Sequence, residues 1–168
     1  MKFISYLLSP VFLVVFFLLL IIFHPLQWLS FNLFGINGHI VVVETLNWFL
    51  VKSLLILGVP VRFENKQKLS KENNYIFVAN HQSLYDIPPL ILYLRKHSPK
   101  FVAKIELGKG IPSISFNLKH GGAALIDRKD PRQALSALAS FSKRNNANKW
   151  SAVIFPEGTR STTGKPKK

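Results

Sequence analysis

"YIFVANHQSLYDIPPL" (residues 75–90) changes character three times in sixteen residues. Tyr75 to Ala79 is a short apolar run of strand type that stops at Asn80. His81 follows at once and Asp86 comes five positions later. Pro88 and Pro89 then fit the first turn of a helix through Leu94, closed by Arg95, Lys96 and His97, cations that suit a helix C-terminus. Strand, polar turn and helix make the repeating unit of an open α/β sheet. The same alternation recurs outward. "KFVAK" (100–104), "GGAALIDR" (121–128) and "WSAVIF" (150–155) read as further strands. In "DPRQALSALASFSKRNN" (130–146), Asp130 is placed as an N-cap and Pro131 as the first helical residue. Leu135, Leu138 and Phe141 form the apolar stripe of that helix. Residues 61–168 are therefore expected to form an α/β domain, a largely parallel central sheet flanked by helices.

Residues 1–60 have a different composition. From Phe3 to Val43 there is no Asp, Glu, Lys or Arg. "FISYLLSPVFLVVFFLLLIIF" (3–23) is long enough, as a helix of roughly 30 Å, to match the hydrocarbon core of a bilayer. His24, Pro25 and Trp28 read as its interface end. "HIVVVETLNWFLVKSLLILGVPV" (39–61) is a second apolar segment, interrupted by Glu44, Asn47 and Lys52. Together they predict an N-terminal hydrophobic two-helix membrane arm. "ENKQKLSKENN" (64–74) is the connector, and "TTGKPKK" a solvated tail. Nearly all of the net charge of +14 falls after residue 60. A basic domain on an apolar arm points to an anionic membrane surface or anionic substrates. Nucleic acid is disfavoured, because most phenylalanines lie in the arm and none interleaves with a basic run as a stacking platform requires. The absence of cysteine excludes disulfides, thiolate metal ligands and a cysteine nucleophile.

Each polar cluster follows a predicted strand: Asn80-His81, Asp127-Arg128 and Pro156-Glu157. Open α/β sheets build their sites at that edge. Residues five apart on a straight helix point about 140° away from each other. His81 and Asp86 meet only if the histidine sits in the turn and the aspartate in the first helical turn. The carboxylate then holds one ring nitrogen as donor and leaves the other as acceptor, a suitable general base near neutral pH. Taken alone, H-x4-D is more often a capped helix beside a satisfied histidine, and Ser83 is read as that cap. No histidine shows the spacing of a metal motif such as H-E-x-x-H. "FPEGTRS" (155–161) changes the balance. Gly158 permits close backbone approach, Thr159 offers a hydroxyl and Arg160 a guanidinium fork for phosphate. "GTRSTTGKP" is not a phosphate loop, because its glycine-to-glycine spacing is one too long and Pro166 stands where Ser or Thr is needed.

"NHQSLYD" followed about 75 residues later by "FPEGTRS", with "KIELGKGIPSISFNLKHGGAALIDR" between them, resembles the glycerolipid acyltransferase family, in particular the 1-acylglycerol-3-phosphate acyltransferases. The resemblance covers roughly residues 40–161. It implies transfer of a fatty acyl group from an acyl thioester, on coenzyme A or acyl carrier protein, to the free hydroxyl of lysophosphatidic acid. The product is phosphatidic acid, and neither cofactor nor metal takes part. His81 is implied as the base and Asp86 as the group that orients it, with backbone N–H groups near the His81 turn stabilising the oxyanion. Arg128, Glu157, Gly158, Thr159 and Arg160, with Lys104, are implied to bind the acceptor phosphate. Related acceptors are glycerol 3-phosphate and other lysophospholipids, and a non-catalytic lipid-binding tether is the reading from another class. With the Lys/Arg excess after Lys52, it also implies a bacterial inner-membrane location with the domain on the cytoplasmic face. Family members continue past Ser161 to a further strand, so the domain is expected to be incomplete at its C-terminus.

Overall fold

The computed structural model describes residues 2–64 and 69–161. Connector residues 65–68 and the tail from residue 162 lie outside it. Helix α1 (Lys2–Ser53) leads into four short strands and three further helices: β1 (Ile76–Val78), α2 (Ile87–Tyr93), β2 (Pro99–Lys104), α3 (Ile114–His120), β3 (Ala124–Ile126), α4 (Pro131–Asn148) and β4 (Ser151–Ile154). The sheet order is β1-β4-β2-β3, and every pairing is parallel. β4, last in the chain, therefore inserts between β1 and β2. A parallel sheet must be covered to hide its apolar residues. Phe77, Val153 and Phe101 are in register across three strands. They pack with Ile91 and Leu94 from α2 and its end, and with Val43 of α1. Val153 is fully buried at the centre of this cluster. Each such side chain contributes on the order of 1.5–3 kcal/mol.

The helix breaks within α1 differ from expectation. Its break falls at Gly35, at φ 64° and ψ −153°, a conformation open mainly to glycine. The expected end at His24-Pro25 is absent, and the helix runs through Pro25. A proline inside a helix costs about 3 kcal/mol or more. Here it follows Phe23, which is buried against Leu20, Leu46 and Leu50, and that packing holds the helix in place around the proline. The two halves fold back on each other, as the contacts of Leu20 and Phe23 with Leu46 and Leu50 show. The second half ends at Ser53 rather than Val61. A 3-10 turn at Leu54–Leu57 follows, capped by Gly58 in the left-handed region. The outward face carries Tyr6, Leu7, Val14, Phe17, Ile21 and Ile22, all exposed, and α1 is long and apolar enough to cross a membrane. That surface fits a membrane arm.

Its inward face meets α3 through Phe31 against Phe116 and through two polar links. His39 Nε2 lies 3.2 Å from Asn117 Oδ1, and His24 Nδ1 accepts from the Ser113 backbone N–H at 3.1 Å. These histidines thus seat the arm on the domain. α3 itself lies in a stretch whose helical pattern was not read from the sequence.

Lys100 on β2 is only 7% exposed, with its ammonium 4.3 Å above the Trp150 ring. Burial lowers its pKa from 10.5 to about 8, and the charge of Glu44 on α1 opposes part of that. Between those two values the unfolded chain holds a proton that the folded one has released, so this group makes stability rise with pH across that window. The stability difference between wild type and Lys100→Met is expected to shift by roughly 3 kcal/mol in favour of wild type between pH 8 and 10.5, as read by urea unfolding. A difference that stays flat over that range disproves a depressed lysine.

Candidate active site

β1 and β4 are neighbours with Val78 opposite Ile154. Counting three residues past each of those positions puts His81 level with Glu157. Two motifs 76 residues apart are brought side by side by strand register alone. The His81 backbone N–H donates to Glu157 Oε1 at 2.9 Å, and the Ser161 N–H donates to the His81 carbonyl at 2.8 Å. The loop carrying Gly158, Thr159 and Arg160 is therefore tied at both ends to one residue.

After His81 the chain turns sharply. Ser83 caps a 3-10 turn at Leu84–Asp86, its hydroxyl accepting from the Tyr85 N–H. That turn swings the Asp86 carboxylate back over the residues before it. One oxygen, Oδ2, accepts from the Gln82 N–H at 2.7 Å, from the Ser83 N–H at 2.8 Å and from His81 Nδ1 at 2.9 Å. An ionised carboxylate only accepts, so Nδ1 carries the hydrogen and Nε2 of the neutral ring is left with its lone pair. The imidazole stacks on Phe155, centroids 4.3 Å apart and planes within 22°. The His81 and Asp86 side chains are 18% and 24% exposed, sheltered but reachable by a reactant.

The cations sit on the same sheet edge. Lys104 ends β2, and Arg128 stands two residues beyond β3. Although β2 separates β3 from β4, the Arg128 guanidinium reaches the β4 loop. A Cβ added to Gly158 would lie 3.2–3.3 Å from it. Gly158 is also at φ 63°, so this residue permits both the turn and the approach. Lys104, Arg128, Thr159 and Arg160 are exposed. Thus His81, Asp86, Glu157, Gly158 and Arg128 form one connected group. Thr159 and Arg160 follow on its loop, and Lys104 lies at the end of the intervening strand.

One expectation is overturned. The backbone N–H groups of the His81 turn are not available to an oxyanion. Those of His81, Gln82 and Ser83 are each committed to a carboxylate, Glu157 or Asp86. Glu157 also acts through this bond to the backbone, tying the two motifs together. Sequence reasoning missed Phe155, whose stacking follows from its place at the end of β4. It also missed the contact of Phe12 and Phe16 with Tyr85, centroids 5.3 and 5.8 Å away, which joins the arm to the turn holding Asp86.

The arrangement is that of an α/β domain presenting an Asp-oriented histidine beside a cationic rim at the carboxyl ends of parallel strands. The chain belongs to the acyltransferase family, whose model matches residues 60–168. It is 40% identical over 92 residues to a 1-acyl-sn-glycerol-3-phosphate acyltransferase of Helicobacter pylori, covering 53% of this chain and 36% of that protein. A protein of the same name from Saccharomyces cerevisiae is 32% identical over 116 residues, covering 65% and 35%. The chain thus spans about a third of the length of these relatives. The crystal structure of the 1-acyl-sn-glycerophosphate acyltransferase PlsC from Thermotoga maritima superposes with a TM-score of 0.75 at 25% identity. That match covers 99% of this chain and 66% of the other.

Proposed function

We propose that the protein moves a fatty acyl group from an acyl thioester, on coenzyme A or acyl carrier protein, to the sn-2 hydroxyl of 1-acylglycerol 3-phosphate, forming phosphatidic acid at a membrane surface. The observation that carries this reading is the single Asp86 oxygen shared by His81 Nδ1 and two backbone N–H groups, which turns the basic Nε2 outward. Nε2 takes the proton of the acceptor hydroxyl as its oxygen attacks the thioester carbonyl. The tetrahedral intermediate collapses by breaking the C–S bond, and the imidazolium returns the proton to the departing thiolate. No covalent acyl-enzyme is needed. The acceptor phosphate is held by Arg128, with Arg160, Thr159, the Gly158 backbone and Lys104 around it. An exposed arm of this hydropathy, followed by a basic domain, supports attachment to a membrane with the domain on its cytoplasmic side.

Membranes carrying the 168-residue chain, given a radiolabelled acyl thioester and a panel of lysophospholipids and glycerol 3-phosphate, are expected to label phosphatidic acid from the lysophosphatidic acid arm. Label in another lysolipid alone reassigns the acceptor. Labelling that survives His81→Ala undiminished removes the histidine from the reaction.

Gly158→Ala tests the phosphate corner. The methyl group crowds the Arg128 guanidinium at 3.2–3.3 Å and shifts it slightly, and the left-handed backbone adds about 1–2 kcal/mol of strain. The acceptor KM is expected to rise roughly tenfold, the worth of one charge-assisted bond partly screened by water, with kcat little changed. An unaltered KM separates Arg128 from the acceptor.

A further inference from the structure

At the far end of α2 from Asp86 lies a second concavity of about 480 Å³. Its walls are Val51, Leu55 and Leu92, with the rings of Trp48 and Tyr93 beside them. Three cations stand around it: Lys52 in the last turn of α1, and Arg95 and Lys96 just past α2. All three are exposed, and among the described residues no Asp or Glu lines the groove. The Lys52 ammonium sits 5.7 Å from the Trp48 ring centroid. Phe63 stacks on Tyr93, centroids 4.7 Å apart and planes within 5°. Glu44 is the carboxylate whose field reaches Arg95, but it does not line this groove. The surrounding surface is apolar, with Trp48, Phe49, Leu55 and Val59 all at least two-fifths exposed.

We infer that this groove holds an acidic phospholipid drawn from the bilayer, separately from the reacting pair. Charge and shape both point to such an occupant. Three exposed cations around one groove suit a phosphate or phosphodiester, and the Val51–Leu55–Leu92 wall suits the first part of an acyl chain. A soluble anion would leave that wall wet, and a zwitterionic lipid would meet cations with no carboxylate to balance them. The groove is about 10 Å from Asp86 along α2, a helix of seven residues. It therefore fastens the opposite end of the helix whose start carries that carboxylate.

Retention of lipid in detergent distinguishes a site from general surface attraction. The 168-residue chain in non-ionic detergent is offered phosphatidylglycerol, phosphatidylcholine or glycerol phosphate and weighed by native mass spectrometry. Wild type is expected to keep one phosphatidylglycerol. The triple change Lys52→Gln, Arg95→Gln, Lys96→Gln is expected to weaken this at least tenfold, given about 1 kcal/mol for each cation beside an acidic lipid. Arg132→Gln, Lys143→Gln, Lys149→Gln on and after α4 removes the same charge elsewhere and is expected to leave retention intact. Equal losses in the two triple variants overturn the proposal in favour of surface attraction. Equal retention of phosphatidylcholine shows an apolar crevice only, and equal binding of glycerol phosphate shows a site for free anions. No retained lipid also overturns it. If the triple variant loses its circular dichroism signal, Lys96→Glu, at one exposed position, carries the same comparison.

Discussion

His81→Ala is expected to lower the rate of the proposed acyl transfer by about 10²–10⁴-fold, the range that a positioned general base supplies, with little change in acceptor KM. The split between the two parameters follows from the geometry. In the proposed reaction Nε2 meets only the proton in flight, whereas Arg128 and the 157–161 loop hold the phosphate. Removing the ring leaves the backbone links from His81 N–H to Glu157 and from Ser161 to the His81 carbonyl, because neither uses the side chain. The anion corner therefore survives. The ring does stack on Phe155, so its loss opens a small space there. A thermal midpoint measured beside the kinetics separates that effect from lost chemistry. A rise in KM equal to the fall in rate would falsify the assignment of His81 as base and make it a binding residue.

Asp86→Asn is the second large effect, and it has two readouts. The carboxylate accepts three hydrogen bonds through one oxygen. Asparagine retains one neutral acceptor, and charge-assisted bonds are roughly twice as strong as neutral ones. The turn is expected to lose on the order of 1–3 kcal/mol, read as a lower urea midpoint. The rate is expected to fall about 10²–10³-fold. An amide cannot stabilise the imidazolium, and if its NH₂ faces His81 the ring adopts the tautomer that blocks Nε2. The double variant His81→Ala, Asp86→Asn should be scarcely slower than His81→Ala, since the two side chains act as one unit. Multiplying losses in the double variant refute that coupling. Nitrogen-15 NMR of the imidazole reads the tautomer directly and is blind to a purely structural role.

Local chemistry was legible in the sequence. Ser83 and Asp130 act as caps because a short polar side chain before a helix has few other uses there: Asp130 accepts from the Arg132 and Gln133 N–H groups. The parallel sheet followed from alternating strand and helix patterns. With it came the gathering of His81, Arg128 and Glu157 at one edge, because parallel strands all end on the same side. What stayed hidden depends on partners distant in the chain. Nothing around Pro25 announces that Phe23 and Gln27 will be buried, so the sequence alone suggests an earlier helix end than the fold has. Lys100 looks like any surface lysine until Trp150 is placed above it. The N–H groups of the His81 turn looked available until the path of the chain gave each a carboxylate. At seven residues α3 is too short to show a helical period, and Ser113, which precedes it as N-cap, has positive φ and makes no capping bond.

The double tether between the 157–161 loop and the peptide of His81 bears on protein engineering. The link itself needs two adjacent parallel strands whose third residues beyond the ends are level. Grafting either motif without its companion leaves a dangling acid or an unsupported loop, so the pair is the smallest transplantable module.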